Sequence, residues 1–102
     1  MGWYAVRCVI LHELDRRTYE ERITLWQADA HETAIELAEQ EAGEYASLVE
    51  SQYVGLAQSY ELYDDPCQPG AEVFSLMRDS ELDPTAYTSR FFATGNEHQG
   101  TL

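Results

Sequence analysis

Nine residues near the start of the chain, Trp3-Tyr4-Ala5-Val6-Arg7-Cys8-Val9-Ile10-Leu11, leave the fold few choices. The run is rich in aromatic and β-branched residues, and it is too short for a globular helix of ordinary length. Along a strand, alternate side chains face opposite sides of the sheet. One side here carries Tyr4, Val6, Cys8 and Ile10; the other carries Trp3, Ala5, Arg7, Val9 and Leu11. Only Arg7 is charged. A strand with water on one side shows apolar and polar residues in alternation. This one does not, so it belongs in the middle of a sheet with both faces covered.

The rest of the chain supplies neighbours. Residues Tyr19 to Ala28 alternate and form a hairpin with the first strand across the polar loop from His12 to Thr18. Ile23 and Leu25 are expected beside Val6 and Ile10, which would turn Trp26 to the second face; the register is not fixed by the sequence. Asp29 is placed as the cap of a helix over residues 30–48, with Glu32 at capping-box spacing. Helical periodicity gathers Ala30, Ala34, Leu37, Ala38, Tyr45 and Leu48 on one side. Glu32, Glu36, Glu39 and Glu50 fall on the other and define an acidic face. Glu41 projects into the apolar stripe and is a candidate buried carboxylate, unless it bends outward, meets a tyrosine hydroxyl, or is displaced by a bend at Gly43. A third strand is read over Gln52 to Tyr63 and a turn over Asp64 to Gly70, followed by a fourth strand from Glu72 to Arg78. Asp83-Pro84 opens a short C-terminal helix that brings Leu82, Tyr87 and Phe91 together, with Phe92 beside them.

These elements make an α+β fold in the order β-β-α-β-β-α, with one long helix on one face of a four-stranded antiparallel sheet. If the helix returns the chain to its starting end, the third strand runs antiparallel to the first and pairs beside it. The strand order is then 2-1-3-4; the alternative is 1-2-3-4 with a parallel central pair. Residues 1–92 form a single domain, and the polar, glycine-containing stretch 93–102 is expected to be a loose tail.

Charge narrows the partners. Nineteen acids face six arginines and no lysine, a formal charge of −13, and no Arg or Lys occurs from Ile23 to Ala71. Such a surface repels nucleic-acid phosphates and anionic lipid headgroups and attracts basic proteins. No apolar run approaches the roughly 20 residues of a membrane helix. The first residues lack the basic region that leads into a signal peptide, so a cytoplasmic location is expected. Cys8 and Cys67 have neither metal nor redox spacing.

Several short motifs occur together: Trp3-Tyr4-Ala5-Val6-Arg7, Tyr19-Glu20-Glu21-Arg22, Ala34-Ile35 with Ala38, and Tyr53-Val54-Gly55. Glu61-Leu62, Gly70-Ala71-Glu72-Val73-Phe74-Ser75 and the ending Phe91-Phe92 with Thr94-Gly95 continue the set. With these the chain resembles, over nearly its whole length, a small bacterial family of domains of unknown function. The resemblance implies no activity, cofactor or catalytic residue.

Catalytic chemistry finds little support in the sequence. His12, His31 and His98 are scattered, Ser59, Ser75 and Ser80 lack a nucleophile-elbow context, and no glycine-rich phosphate loop occurs. Glu20-Glu21 and Asp64-Asp65 are too few oxygens for a divalent site. No catalytic residue, metal or cofactor is expected. The reading is a non-enzymatic protein–protein interaction module. Its candidate interface is the second sheet face, Trp3, Arg7, Val9, Leu11, Trp26, Tyr53 and Phe74, covered by the C-terminal helix, by a second copy in a symmetric homodimer, or by another protein. The alternative is an acidic nucleic-acid mimic that occupies a basic groove through Glu32, Glu36, Glu39 and Glu50. A small-molecule-binding domain or an enzyme ranks behind both.

Overall fold

The apolar run becomes the central strand of a three-stranded antiparallel sheet. The structure, a computed structural model, describes residues 1–75 and 77–92, with backbone only at Phe92. Strand β1 (Gly2–Glu13) pairs with β2 (Arg17–Ala28) on one side and with β3 (Gln52–Leu62) on the other, in the order β2-β1-β3. Helix α1 (His31–Leu48) connects β2 to β3, and helix α2 (Pro84–Phe92) follows later. A parallel central pair is thereby excluded. The long α1 crossover returns the chain to the end from which β3 runs antiparallel to β1.

The structure sets the hairpin register that the sequence left open, and it reverses the faces expected for Ile23, Leu25 and Trp26. The connection is only Leu14–Arg16, and Glu13 sits opposite Arg17, with the two side chains paired at 3.2 Å. Loop length sets hairpin register, and a one-residue slip sends every side chain to the other face. Tyr4 therefore faces Trp26, Ala5 faces Leu25, and Arg7 faces Ile23. Ile23 and Leu25 do not join Val6 and Ile10; Trp26 does, through its opposition to Tyr4.

The core is narrow and built on alanine. Ala34, Ala38, Ala42 and Ala46 repeat every fourth residue, are all buried, and form one cluster with Tyr4, Val6, Cys8, Ile10 and Ala28. A methyl-only stripe lets the helix backbone come close, as shown by the Cys8 Sγ contact to the Ala38 carbonyl at 4.0 Å. Burial raises the Cys8 thiol pKa, which leaves it as a small apolar filler. Leu37 and Leu48, expected in the stripe, are exposed instead. The four-residue alanine row drifts back around the helix and leaves them outside its line.

Both ends of α1 depart from expectation. The N-cap is Ala30 and no side chain caps it; Asp29 pairs with the N-terminal amine at 4.0 Å. Gly43 does not end the helix. The C-terminus closes as a Schellman motif, with Glu50 N–H donating to the Ser47 carbonyl at 3.2 Å and Ser51 N–H to that of Ala46 at 2.7 Å. Glu50 occupies the left-handed position at φ 56°, where glycine is the usual residue.

Beyond β3 no fourth strand forms among the described residues. Gly55, at φ 89°, sits in an irregularity of the β1–β3 pairing, where Cys8 faces Ala57 but Ile10 faces Tyr53. The Asp64–Gly70 turn closes through Gln68 N–H to the Asp65 carbonyl and Ala71 N–H to that of Gln68. The segment expected as a strand, Glu72 to Arg78, then passes β3 without pairing; Leu76 lies outside the described residues. Phe74 is its anchor, edge-on to Tyr60 at 4.8 Å. Asp83 caps α2 by accepting from Ala86 N–H at 2.9 Å, and Arg78 lies 4.1 Å over the Phe91 ring. Tyr87 and Phe91 meet at 4.7 Å, while the Phe92 side chain and residues 93–102 lie outside the described part. Among the described residues α2 packs on neither the sheet nor α1.

A core of methyl groups has no room to grow. Ala38→Leu should therefore destabilise the domain by about 1–3 kcal/mol in urea unfolding through overpacking. A neutral result would mean that the helix can lift off the sheet at no cost.

Candidate functional site

The side of the sheet away from the alanine cluster is left open. β2 contributes Tyr19, Ile23 and Leu25, which are 57%, 44% and 41% exposed. They lie opposite Leu11, Arg7 and Ala5 of β1. Val9 and Leu11 are half-buried, and Val54 and Leu56, at the β3 irregularity facing Val9, are also exposed. Of the interface residues expected from sequence, Trp3, Arg7, Val9 and Leu11 belong to this side. Trp26 and Tyr53 do not: both pack against the alanine cluster. Phe74 reaches the open side from a loop and covers part of it.

Arg7 sits within the patch, opposite Ile23 and between Ala5 and Val9 on its own strand. Its guanidinium donates to Gln58 at 2.6 Å, to Glu21 at 3.3 Å and to the Tyr60 hydroxyl at 3.3 Å, and lies 5.5 Å from the Phe74 ring centroid. Arg7 is therefore a paired cation, and its partner Glu21 lies on the same face, opposite Val9. The charge balance of the hairpin is unlike the rest of the chain. Residues 1–28 hold four arginines and four acids, so all thirteen excess negative charges reside in residues 29–102.

The α1 side is polar at its margins. Arg22 donates to both carboxylate oxygens of Glu41, at 2.9 and 3.1 Å, and stacks 3.6 Å from the Tyr45 ring centroid. Glu41 is thus not a buried lone carboxylate. It lies just outside the alanine line and is partly exposed, paired to an arginine that the actual hairpin register brings to the α1 side. On the opposite margin Tyr53 donates to Glu39 at 2.6 Å. Burial first, then this bond, raises the Tyr53 pKa.

The acidic face is correspondingly reduced. Glu32 and Glu36 are exposed on α1, but Glu39 is engaged by Tyr53 and Glu50 lies past the helix end.

A hydrogen-bonded chain runs along the far end of this side. Tyr45 donates to Glu20 at 2.9 Å, Glu20 meets His12 Nε2 at 2.8 Å, and His12 Nδ1 meets Ser51 Oγ at 2.6 Å. Burial pushes the Glu20 carboxyl upward, but bonds from His12 and Tyr45 and the charges of His12 and Arg22 outweigh it and leave its pKa below the ordinary value. The Tyr45 hydroxyl is raised by its bond to Glu20 and by burial. Sequence reasoning missed this group. Its one available signal was that His12 and Glu20 stand two pairs apart on one face of a hairpin, legible only once the register is known.

A cleft of about 430 Å³ opens along the outer edge of β3, between His31, Ser59 and the Glu72–Ser75 segment. His31 Nδ1 lies 2.8 Å from Ser59 Oγ, and its ring meets Tyr4 edge-on at 4.9 Å. Among the described residues no cluster of His, Cys, Asp and Glu is gathered to hold a metal. No described helix is long and apolar enough to cross a membrane.

No protein-family model, curated protein or solved structure matches the chain.

Two outcomes test the α1 margin. Glu41→Gln leaves Arg22 half-buried without its carboxylate partner, so it should cost about 1 kcal/mol in urea unfolding, a value reduced by partial exposure. No loss would mean that the pair contributes nothing. Because the folded Glu20 pKa is depressed, its contribution is complete above the unfolded carboxyl range, about pH 4.3, and is lost as pH falls through the folded value. Glu20→Gln should flatten the fall in melting temperature below about pH 4.5, and an unchanged acid limb would contradict this.

Proposed function

We propose that this chain is a protein–protein interaction module whose working surface is the open face of the β1–β2 hairpin, and that a second copy occupies it. The observation that carries this reading is the exposed apolar set Tyr19, Ile23 and Leu25 with Val9 and Leu11, on the face that the alanine cluster does not use; the Arg7–Glu21 ion pair lies among them. Monomers rarely leave large apolar side chains clustered in water.

Charge selects the occupant. Two copies meeting hairpin to hairpin bring together the neutral part of each chain. Both α1 helices, with Glu32 and Glu36, then point away from the contact. Meeting through α1 would instead oppose two acidic faces. The arrangement is isologous and closes as a twofold dimer.

Energy bookkeeping sets the strength. Completing the burial of side chains that are already half covered yields roughly 1 kcal/mol each. Some ten such side chains across the pair give on the order of 10 kcal/mol, against an association cost of about 4–15 kcal/mol. At the low end of that cost about 6 kcal/mol remains, which corresponds to a reversible dimer with Kd of roughly tens of micromolar or weaker. The nucleic-acid-mimic reading has less to stand on, since Glu39 and Glu50 are not free on the helix face.

Sedimentation velocity over a concentration series should show the 11.7 kDa chain shifting toward twice its mass. The shift should persist in about 1 M salt, where screening removes interactions between exposed charges. Ile23→Asp should abolish the shift while the far-ultraviolet circular dichroism stays unchanged. A chain that remains monomeric up to about millimolar concentration would overturn the reading, as would an Ile23→Asp variant that dimerises normally.

A further inference from the structure

We infer that Ser51 is an activated nucleophile for acyl transfer, with His12 as its base and Glu20 as the group that orients the base. Protonation follows from hydrogen-bond logic. The Glu20 carboxylate only accepts, so the His12 Nε2 facing it at 2.8 Å carries the ring proton. Nδ1 then presents its lone pair to Ser51 Oγ at 2.6 Å, and the hydroxyl donates. A hydroxyl on an imidazole nitrogen, with a carboxylate on the other, is the arrangement that activates serine. The other polar contact of Ser51 Oγ, to the Val49 carbonyl at 3.3 Å, is longer and competes weakly.

The fold holds all three residues in place. His12 is near the end of β1, and Leu11 pairs with Gln52, which places the turn between α1 and β3 against it. The Schellman bond from Ser51 N–H to Ala46 fixes the serine backbone. Glu20 comes across from β2 and is held by the Tyr45 hydroxyl. His12 thus meets Glu20 from β2 on one ring nitrogen and Ser51 from the α1–β3 turn on the other.

Ser51 is only half-buried, and two apolar residues precede it closely, Leu48 at 82% exposure and Val49 at 39%. With a formal charge of −13 around it, the suitable substrate is an uncharged ester with an apolar acyl group. Ser51 Oγ bonds to the acyl carbon as its proton passes to His12 Nδ1. The carbon–oxygen bond to the leaving alkoxide breaks, and the alkoxide takes that proton. Water then attacks the acyl carbon, gives a proton to His12, and the acid leaves as Ser51 Oγ recovers its hydrogen. The net reaction is ester and water to acid and alcohol.

An uncharged alkyl fluorophosphonate is the probe, because its phosphorus takes the place of the acyl carbon and fluoride leaves with the proton. Incubation with the full chain, followed by peptide mass spectrometry, should place the adduct on Ser51. Ser51→Ala should remove it, Ser59→Ala should retain it, and His12→Gln should slow labelling by at least about 100-fold, the lower end of general-base assistance. No adduct on Ser51, or adducts spread evenly over the serines, would overturn the assignment. So would an unchanged rate in a folded His12→Gln protein.

Discussion

Everything in this domain depends on how closely α1 lies on the sheet. Four alanines at four-residue spacing meet Tyr4, Val6, Cys8 and Ile10, and the largest side chains buried completely are only Ile10 and Val6. Dispersion contacts fall off steeply with distance, so a core of small groups is cohesive only when the backbones approach. The hairpin register set by the Leu14–Arg16 loop puts Ile23 and Leu25 on the other face, and the side given to α1 receives Trp26, Thr24, Arg22 and Glu20 from β2.

That division of side chains gives the two faces different chemistry. On the α1 side, polar groups at the margin of an alanine core must find partners, because half-buried charges without them are costly. Arg22 with Glu41, Tyr53 with Glu39, and Tyr45 with Glu20 and His12 meet that requirement. No buried side-chain polar atom among the described residues lacks a partner. The same demand assembles the Ser51–His12–Glu20 chain, so a set of partners that closes the core also has the form of an activated serine. On the other face the demand is unmet. Apolar side chains remain in water, and their natural complement is another surface of the same kind.

Acidity is distributed to suit this. The hairpin is neutral while the rest of the chain is strongly negative. Long-range repulsion between copies is screened beyond about 8–10 Å at ordinary ionic strength, so a neutral contact surface is the local condition that matters for association. Glu32 and Glu36 of α1 remain in solvent, on the side of the sheet away from the hairpin face proposed for contact.

The sequence by itself determined the central strand, the long α1 crossover and the Asp83-capped α2; it preferred β1 between β2 and β3 over a parallel central pair, and placed outside them a fourth strand that does not form among the described residues. Each of these follows from local periodicity, turn chemistry or the direction of the chain. It also marked Trp3, Arg7, Val9 and Leu11 as one face, since alternation within a strand needs no partner to be read. Only the tertiary structure decided which β2 residues share that face. Register depends on a three-residue loop, and it exchanged Trp26 for Ile23 and Leu25. It likewise decided that Glu41 is paired, that Phe74 anchors a loop rather than a strand, and that Ser51 meets His12. Those contacts join residues from 14 to 39 positions apart. No local pattern encodes such distances; the pairing of strands and the packing of α1 create them.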